Sequence, residues 1–229
     1  MIRLRSLAPL TLAALGLLAA CGSQRDPVLS EAMGALAGMW RTEPASKPQR
    51  QVTRADIERA DVAAVLARLE TDQRGTVLYA AADNGGFVTY VSPLLQQITL
   101  KGAEVTATRG LGTDLLSGWS SGNDPLVRPT PPGAWPAQVD RIYEFPAEGP
   151  QGRVERYSCT FERGAVSEMV ILQVRYSGLE MSETCTGRNG SFENLHFVDP
   201  STGAVRRSLQ WIGPTMGHVD MQILEPYTP

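Results

Sequence analysis

The sequence predicts a mainly β protein: a large curved antiparallel meander sheet or partly closed barrel, with one or two short N-terminal helices packed against it. Three observations predict it. Residues 139–224 are a succession of strand-length apolar segments bounded by Gly, Pro, Asn and Asp. Residues 75–108 carry two hairpin signals. Helical periodicity, finally, occurs only ahead of residue 70.

The elements follow in chain order. Arg3 and Arg5 form a positive n-region, Leu7 to Leu18 an apolar run too short to span a bilayer, and Leu18-Ala19-Ala20-Cys21-Gly22-Ser23 a lipoprotein cleavage site. Residues 1–20 therefore read as a lipoprotein signal peptide that is removed. Cys21 becomes the lipidated N-terminus, carrying diacylglycerol on its thiol and an acyl chain (palmitate) on its amine, and residues 21–27 are the tether. Several acyl chains make such anchoring stable. No aspartate follows the anchor, which favours the outer membrane, facing the periplasm, over retention at the inner membrane. The competing reading is a secretory signal cut near a chance cysteine.

Residues 28–229 then form a single domain. Removing residues 1–20 takes away two of 21 basic residues and none of the 24 acidic ones, so the net charge is 19 minus 24, or −5. Nucleic acid is an unsuitable partner for such a chain.

Leu29, Met33, Leu36, Ala37 and Trp40 recur at helical spacing behind a Ser30 cap, with Gly34 and Gly38 leaving tertiary packing to hold the helix. Residues 41–52 read as linker. Thr53-Arg54-Ala55-Asp56 has capping-box form and starts a helix over 53–60. Residues 61–70 fit either a continuing helix or a strand. Strands are expected at 76–81 and 87–92 about the Asp83-Asn84-Gly85-Gly86 turn, and at 97–100 and 103–108. Gly110-Leu111-Gly112 fails the phosphate-loop tests and reads as a sharp turn into a short helical segment, with Asp114 near its positive end. A loop then runs to Pro136, kept irregular by Pro129, Pro131, Pro132 and Pro136.

The remaining strands are expected at 139–145, 153–162, 166–176, 179–186, 191–198, 205–212 and 218–224. In the last two, alternation assigns Leu209, Trp211, Val219, Met221 and Ile223 to a buried face, and Ser208, Gln210, His218, Asp220 and Gln222 to a wet one. Met169 to Leu172, apolar on both faces, reads as a central strand with a second covering layer.

Cys159 and Cys185, in an exported chain, are expected to form a disulfide. Turns at Arg163-Gly164 and Ser177-Gly178 would set the two cysteines two strands apart, roughly 9.6 Å from a ~4.8 Å strand spacing and beyond the ~7 Å a bridge tolerates. Either the sheet curls strongly, one strand bulges or bends away, or the thiols stay free; curling or bending is the favoured reading.

Chemistry is sparse. There is no nucleophile elbow, no patterned triad and no metal-ligand spacing, so no cofactor, metal or catalytic residue is assigned. His196 reads as a structural core histidine and His218 as a solvated strand-end residue. Candidate contacts with a partner or glycan are Arg109, Asp114, Trp119, Asp124 and Trp135. The two tryptophans either stack on sugar faces or fold back to plug the open end of the sheet.

Five segments together resemble a known family. These are the lipobox; Thr108-Arg109-Gly110-Leu111-Gly112-Thr113-Asp114-Leu115-Leu116 with Asp124-Pro125-Leu126; Glu183-Thr184-Cys185; Asp199-Pro200-Ser201-Thr202-Gly203; and Ser208-Leu209-Gln210-Trp211-Ile212-Gly213-Pro214. The combination is similar to the YjbF/GfcB family of capsule polysaccharide lipoproteins, across roughly Leu29 to Pro226. The resemblance implies an outer-membrane lipoprotein of capsule or exopolysaccharide production, working beside a periplasmic protein and an outer-membrane barrel. It also implies a β fold wrapped around helical material, and it carries no catalytic residues. The long Pro-rich stretch at 128–136 departs from the family pattern. The expectation is a non-enzymatic binding or docking module. The alternatives are a glycan-modifying enzyme using paired carboxylates, or a purely structural envelope lipoprotein.

Overall fold

The computed structural model describes residues 52–147 and 152–229. The lipobox at Cys21 and the 29–40 helix lie outside the described residues. No helix among the described residues is long and apolar enough to cross a membrane.

Among the described residues, one short helix, α1 (Arg54–Ala60), precedes twelve strands: β1 (Ala64–Leu69), β2 (Asp72–Asn84), β3 (Phe87–Val91), β4 (Gln97–Lys101), β5 (Glu104–Arg109), β6 (Ser117–Ser120), β7 (Gln138–Phe145), β8 (Arg153–Ile171), β9 (Val174–Gly187), β10 (Gly190–Val198), β11 (Val205–Gly213) and β12 (Gly217–Glu225). The capping box starts α1 as expected. Asp56 N–H bonds to Thr53 Oγ1 at 3.3 Å and Thr53 N–H to Asp56 Oδ2 at 3.1 Å. Asp61, in the left-handed region at φ 49°, ends it, and the ambiguous 61–70 stretch resolves as β1.

All strands join one antiparallel sheet in the order β5-β4-β3-β2-β1-β12-β11-β10-β9-β8-β7-β6. Two meanders, β1–β5 and β6–β12, are thus stitched together where β1 pairs with β12. The sheet curls until its edges nearly meet. β5 and β6 form no ladder, but Ser120 Oγ on β6 lies 3.3 Å from Glu104 Oε2 on β5, and Thr108 N–H donates to Leu115 O at 2.9 Å. Val65, Leu78, Ile98, Val139, Tyr143, Ile212 and Met221 fill the enclosed space. The result is a nearly closed barrel.

Several expectations need correction. Residues 153–171 form one long strand, not two. The hairpin turn falls at Leu172 and Gln173, both with positive φ (44° and 67°), and 166–176 is no single strand. Arg163-Gly164 is a bulge in β8, and Ser177-Gly178 is a close approach rather than a reversal. A Cβ on Gly178 would fall 2.5 Å from the Phe197 ring, so only glycine lets the chain pass there. With one strand fewer between them, Cys159 and Cys185 are direct cross-strand partners, Cα–Cα 4.0 Å, and the disulfide forms in ordinary register without the sheet bending to reach.

Beyond Thr160, β8 has lost its β7 partner, and before Leu179, β9 has lost β10, so residues 161–178 form a projecting arm. The arm bends across the outside of the barrel. Its Met169, Ile171, Leu172 and Tyr176 pack on Ile57 of α1 and on Leu66, Val77 and Leu224. Met169–Leu172 is therefore an arm tip, with Val170 exposed, and not a central strand.

β6 and a 3-10 turn at Pro132–Ala134 bring short regular pieces into the stretch expected to be wholly irregular. No helical segment follows Gly110. Instead Asp114 accepts from the N–H groups of Gly110 and Leu111 (2.8 and 3.2 Å) and from Thr108 Oγ1 (3.1 Å), folding the glycine turn about its own carboxylate.

On β11 the expected faces are inverted as far as Gln210. Ser208 and Gln210 are buried and Leu209 is half-exposed, whereas Trp211 packs against the buried core as expected. Gln210 explains the inversion. It reaches across the interior to the edge strand β5, accepting from Val105 N–H at 3.0 Å and donating to Ala103 O at 2.7 Å, so an unpaired strand edge is satisfied from the opposite wall. On β12 the expectation holds for Val219 and Met221, although Asp220 is buried as well.

Candidate functional site

The interior holds three zones. Toward the end where β7 and β11 finish and β10 begins, Tyr143, Phe145, Tyr157, Phe192 and Trp211 form one aromatic cluster, with Phe192 and Trp211 stacked at 4.4 Å. The opposite end is covered by residues 121–137, a strap. Leu126 O accepts from Ala103 N–H at 2.7 Å, and the Trp135 ring packs edge-on against Phe161 at 4.9 Å while its indole N–H donates to Thr130 O. The Asp199–Gly203 turn, organised by the Asp199 carboxylate, presses on this strap. A Cβ on Gly203, φ +76°, would overlap the Thr130 backbone.

Between them lies a charged cluster. Arg141 projects from β7 with 1 % of its side chain exposed. Its Nη1 meets Glu104 Oε1 of β5 at 2.7 Å and Asp124 Oδ2 of the strap at 2.8 Å, and its Nε donates to Glu183 Oε1 of β9 at 2.6 Å. Glu183 Oε2 accepts from Asn194 Nδ2 at 2.8 Å and faces His196 Nε2 at 3.2 Å, while Asn194 Oδ1 accepts from Trp211 N–H. Strand alternation places these side chains inward, and pairing sets them side by side: His196 faces Met181 and Ser208 across the ladder, two residues along from Glu183.

Electrostatics divides the acids. Burial alone would raise Glu183, but the Arg141 guanidinium and His196 hydrogen bond hold it down at about 2. Burial outweighs Arg141 for Glu104 and, with Asp124 and Glu183 nearby, pushes it up to about 7. Arg141 itself is held firmly charged by the surrounding carboxylates, against the cost of burial. The chemistry available is charge compensation and proton holding. All four side chains are walled off from solvent. Glu183 also neighbours the two cysteines, with ligand atoms mutually within 4.8 Å, but sulfurs bonded to each other offer no thiolate to a metal.

The sequence-predicted contact residues separate. Asp124 is in the charged cluster and Trp135 in the strap. Asp114 folds the glycine turn, and the Arg109 guanidinium bonds the carbonyls of Thr108, Leu115 and Leu116. Trp119 on β6 presents its ring to solvent, 41 % exposed. Sequence reasoning missed Glu104, Arg141, Glu183 and Asn194, and took His196 for a satisfied core residue. Its Nε2 is indeed partnered, but its Nδ1 is not. The available signal was a charged residue at an inward position of an otherwise apolar strand, as in Val139-Asp140-Arg141-Ile142-Tyr143.

Outside the barrel, a groove of ≈ 280 Å³ runs beneath the arm, lined by Met169, Glu180, Leu195, Arg207, Leu209 and Asp220. It continues past Arg68, Glu70 and His218. Arg207 and Asp220 form a two-bonded pair there (2.7 and 2.8 Å), and His218 bridges Glu70 and the Glu193 carbonyl. At the aromatic end, the Ser92–Gln96 turn presents Leu94 and Leu95, 78 % and 76 % exposed, from a frame in which Ser92 Oγ accepts from the N–H groups of Leu94 and Gln96.

The model of the YjbF family, described as group 4 capsule polysaccharide lipoprotein gfcB, YjbF, matches residues 29–224. Among solved structures, the hypothetical lipoprotein YmcC from Escherichia coli (K12) is similar with a TM-score of 0.67 and 19 % identity, over 91 % of this chain and 100 % of that one; it supports the fold. No curated protein sequence matches the chain.

Proposed function

Because the chain belongs to the YjbF family of group 4 capsule polysaccharide lipoproteins, we propose that it assists capsule or exopolysaccharide assembly or secretion as a lipid-anchored binding or docking module of the outer membrane, and not as a catalyst. The observation that carries the non-catalytic part is the use made of the converging acids. A glycosidase needs two carboxylates facing a substrate-filled gap of about 5 to 9.5 Å. Glu104, Asp124 and Glu183 instead close on Arg141 inside a filled barrel. Docking is supported by apolar side chains held outward on an ordered turn, Leu94 and Leu95, and by the half-exposed Leu195 and Leu209 in the arm groove. The partners expected of this reading are an outer-membrane barrel and periplasmic export proteins, with polysaccharide as a further ligand.

The experiment is genetic. Deleting the gene is expected to change the amount or location of exopolysaccharide, and unchanged polysaccharide would overturn the reading. Cys21→Ala is expected to release the protein from membrane fractions, whereas retention would refute the lipid tether.

A further inference from the structure

The charged cluster does not balance. Three acids, Glu104, Asp124 and Glu183, surround one base, Arg141, and every one of these side chains is at most 3 % exposed. The groups facing them from the packed elements add little. Tyr143 on β7 and Ser120 on β6 bring no positive charge, and His196 on β10, even if protonated, would still leave one negative charge uncompensated. A low-dielectric interior does not hold such an excess; an acid there takes up a proton instead.

Geometry says which acids hold it. Glu183 receives donors from Arg141, Asn194 and the His196 ring, all of which favour its ionised form. Glu104 and Asp124 converge on a single nitrogen, Arg141 Nη1, at 2.7 and 2.8 Å; Glu104 Oε1 accepts its hydrogen bond, and Asp124 Oδ2 is left without one. Of two carboxyl groups held against one nitrogen in a buried site, one keeps its proton. The elevated value at Glu104, about 7, agrees with that geometry.

The two acids differ in what carries them. Glu104 sits on β5, within the sheet, and is held by Ser120. Asp124 sits on the strap, where its other oxygen accepts from Leu126 N–H at 2.8 Å and its carbonyl from Val127 N–H at 3.2 Å. We propose that Glu104 holds a proton beside the Asp124 carboxyl group, and that this proton latches the 121–137 strap over the end of the barrel. Loss of the proton places two like charges on one nitrogen. The strap is the side that yields, lifting Trp135 off the apolar Phe161, Leu179, Met181 and Val198 beneath it. The molecule thereby gains a lid that opens as its surroundings turn alkaline.

The test uses the full-length chain. Backbone hydrogen exchange at Leu126, Val127 and Trp135, corrected for intrinsic chemical rates, is expected to rise at least tenfold between about pH 5 and about pH 8.5. In Glu104→Gln, an uncharged mimic of the protonated acid, exchange at the same sites is expected to stay low at both. A variant that keeps the full pH dependence overturns the latch, as does a wild type whose strap shows none. Should Glu104→Gln fail to fold, infrared difference spectra of the wild type decide. A protonated-carboxyl band present at about pH 5 and gone at about pH 8.5 supports the proton on Glu104, and its absence at the lower pH overturns it.

Discussion

The two ends of one interior are filled by opposite means. The aromatic end is closed by five rings packed edge to face and stacked, while the middle and the strapped end are closed by one arginine and three acids. Rings adapt; a guanidinium shared among carboxylates does not. Aromatic packing contributes area and about 0.5–1.5 kcal/mol per pair without specifying a unique partner. The cluster at Arg141 contributes little net stability against an apolar equivalent, but it fixes which strands meet. It ties β5, β7, β9 and the strap together at the seam where no ladder joins β5 to β6. The barrel is thus held shut at the seam by side chains together with isolated backbone bonds such as Thr108 N–H to Leu115 O, without a ladder.

Breaking the charged side of this comparison gives the largest effect. Arg141→Ala leaves three buried acids without their cation and is expected to cost about 3–5 kcal/mol in urea unfolding. Next comes the disulfide between the zones. Replacing Cys159 and Cys185 by alanine releases a cross-link of sequence separation 26 and is expected to cost about 3.5 kcal/mol on the loop-entropy relation. Gln210→Ala strips the β5 edge of its partner from across the interior, and leaving those backbone groups unmatched costs about 1–3 kcal/mol. Phe192→Leu at the aromatic end retains a large apolar side chain and is expected to cost less than about 1.5 kcal/mol. A ranking with Phe192→Leu worse than Arg141→Ala would reverse the comparison.

The pH dependence sharpens it further. Glu183 and Asp199, both held near 2, contribute stability above their unfolded values, and this is lost as pH falls through the acid range toward about 2. Glu104 has the opposite sign. Its folded value is raised from 4.5 to about 7, so its contribution is greatest at low pH and is lost as pH rises through that interval. Unfolding midpoints in urea are therefore expected to fall on both sides of a maximum in the mildly acidic range. Glu104→Gln should remove the fall on the alkaline side only.

Much of the fold was legible in the sequence because its signals are local. The Thr53 capping box, the Asp83–Gly86 hairpin turn and the alternation on β12 depend on residues a few positions apart. The failures share one cause, a local signal serving a distant purpose. Gly164 and Gly178 read as turns, yet they mark a bulge and a close approach to Phe197 that let the arm bend. Ser208 and Gln210 read as solvent-facing, yet Gln210 serves an edge strand more than a hundred residues away. The cluster was the least legible part. Glu104, Asp124, Arg141 and Glu183 are scattered over 80 positions, and each alone looks like an ordinary surface charge. Two of them, Asp124 and Glu183, do lie in the segments that carry the family resemblance, and at these two positions the motif residue is buried in the interior.

The central claim is that Arg141 and its acids act as one clasp. A double-mutant cycle tests it most directly, with Arg141→Met and Glu183→Leu measured singly and together by urea unfolding of the full-length chain. The clasp predicts that removing both charges costs less than Arg141→Met alone, with a coupling of about 2 kcal/mol or more. Losses that simply add, within about 0.5 kcal/mol, would contradict it.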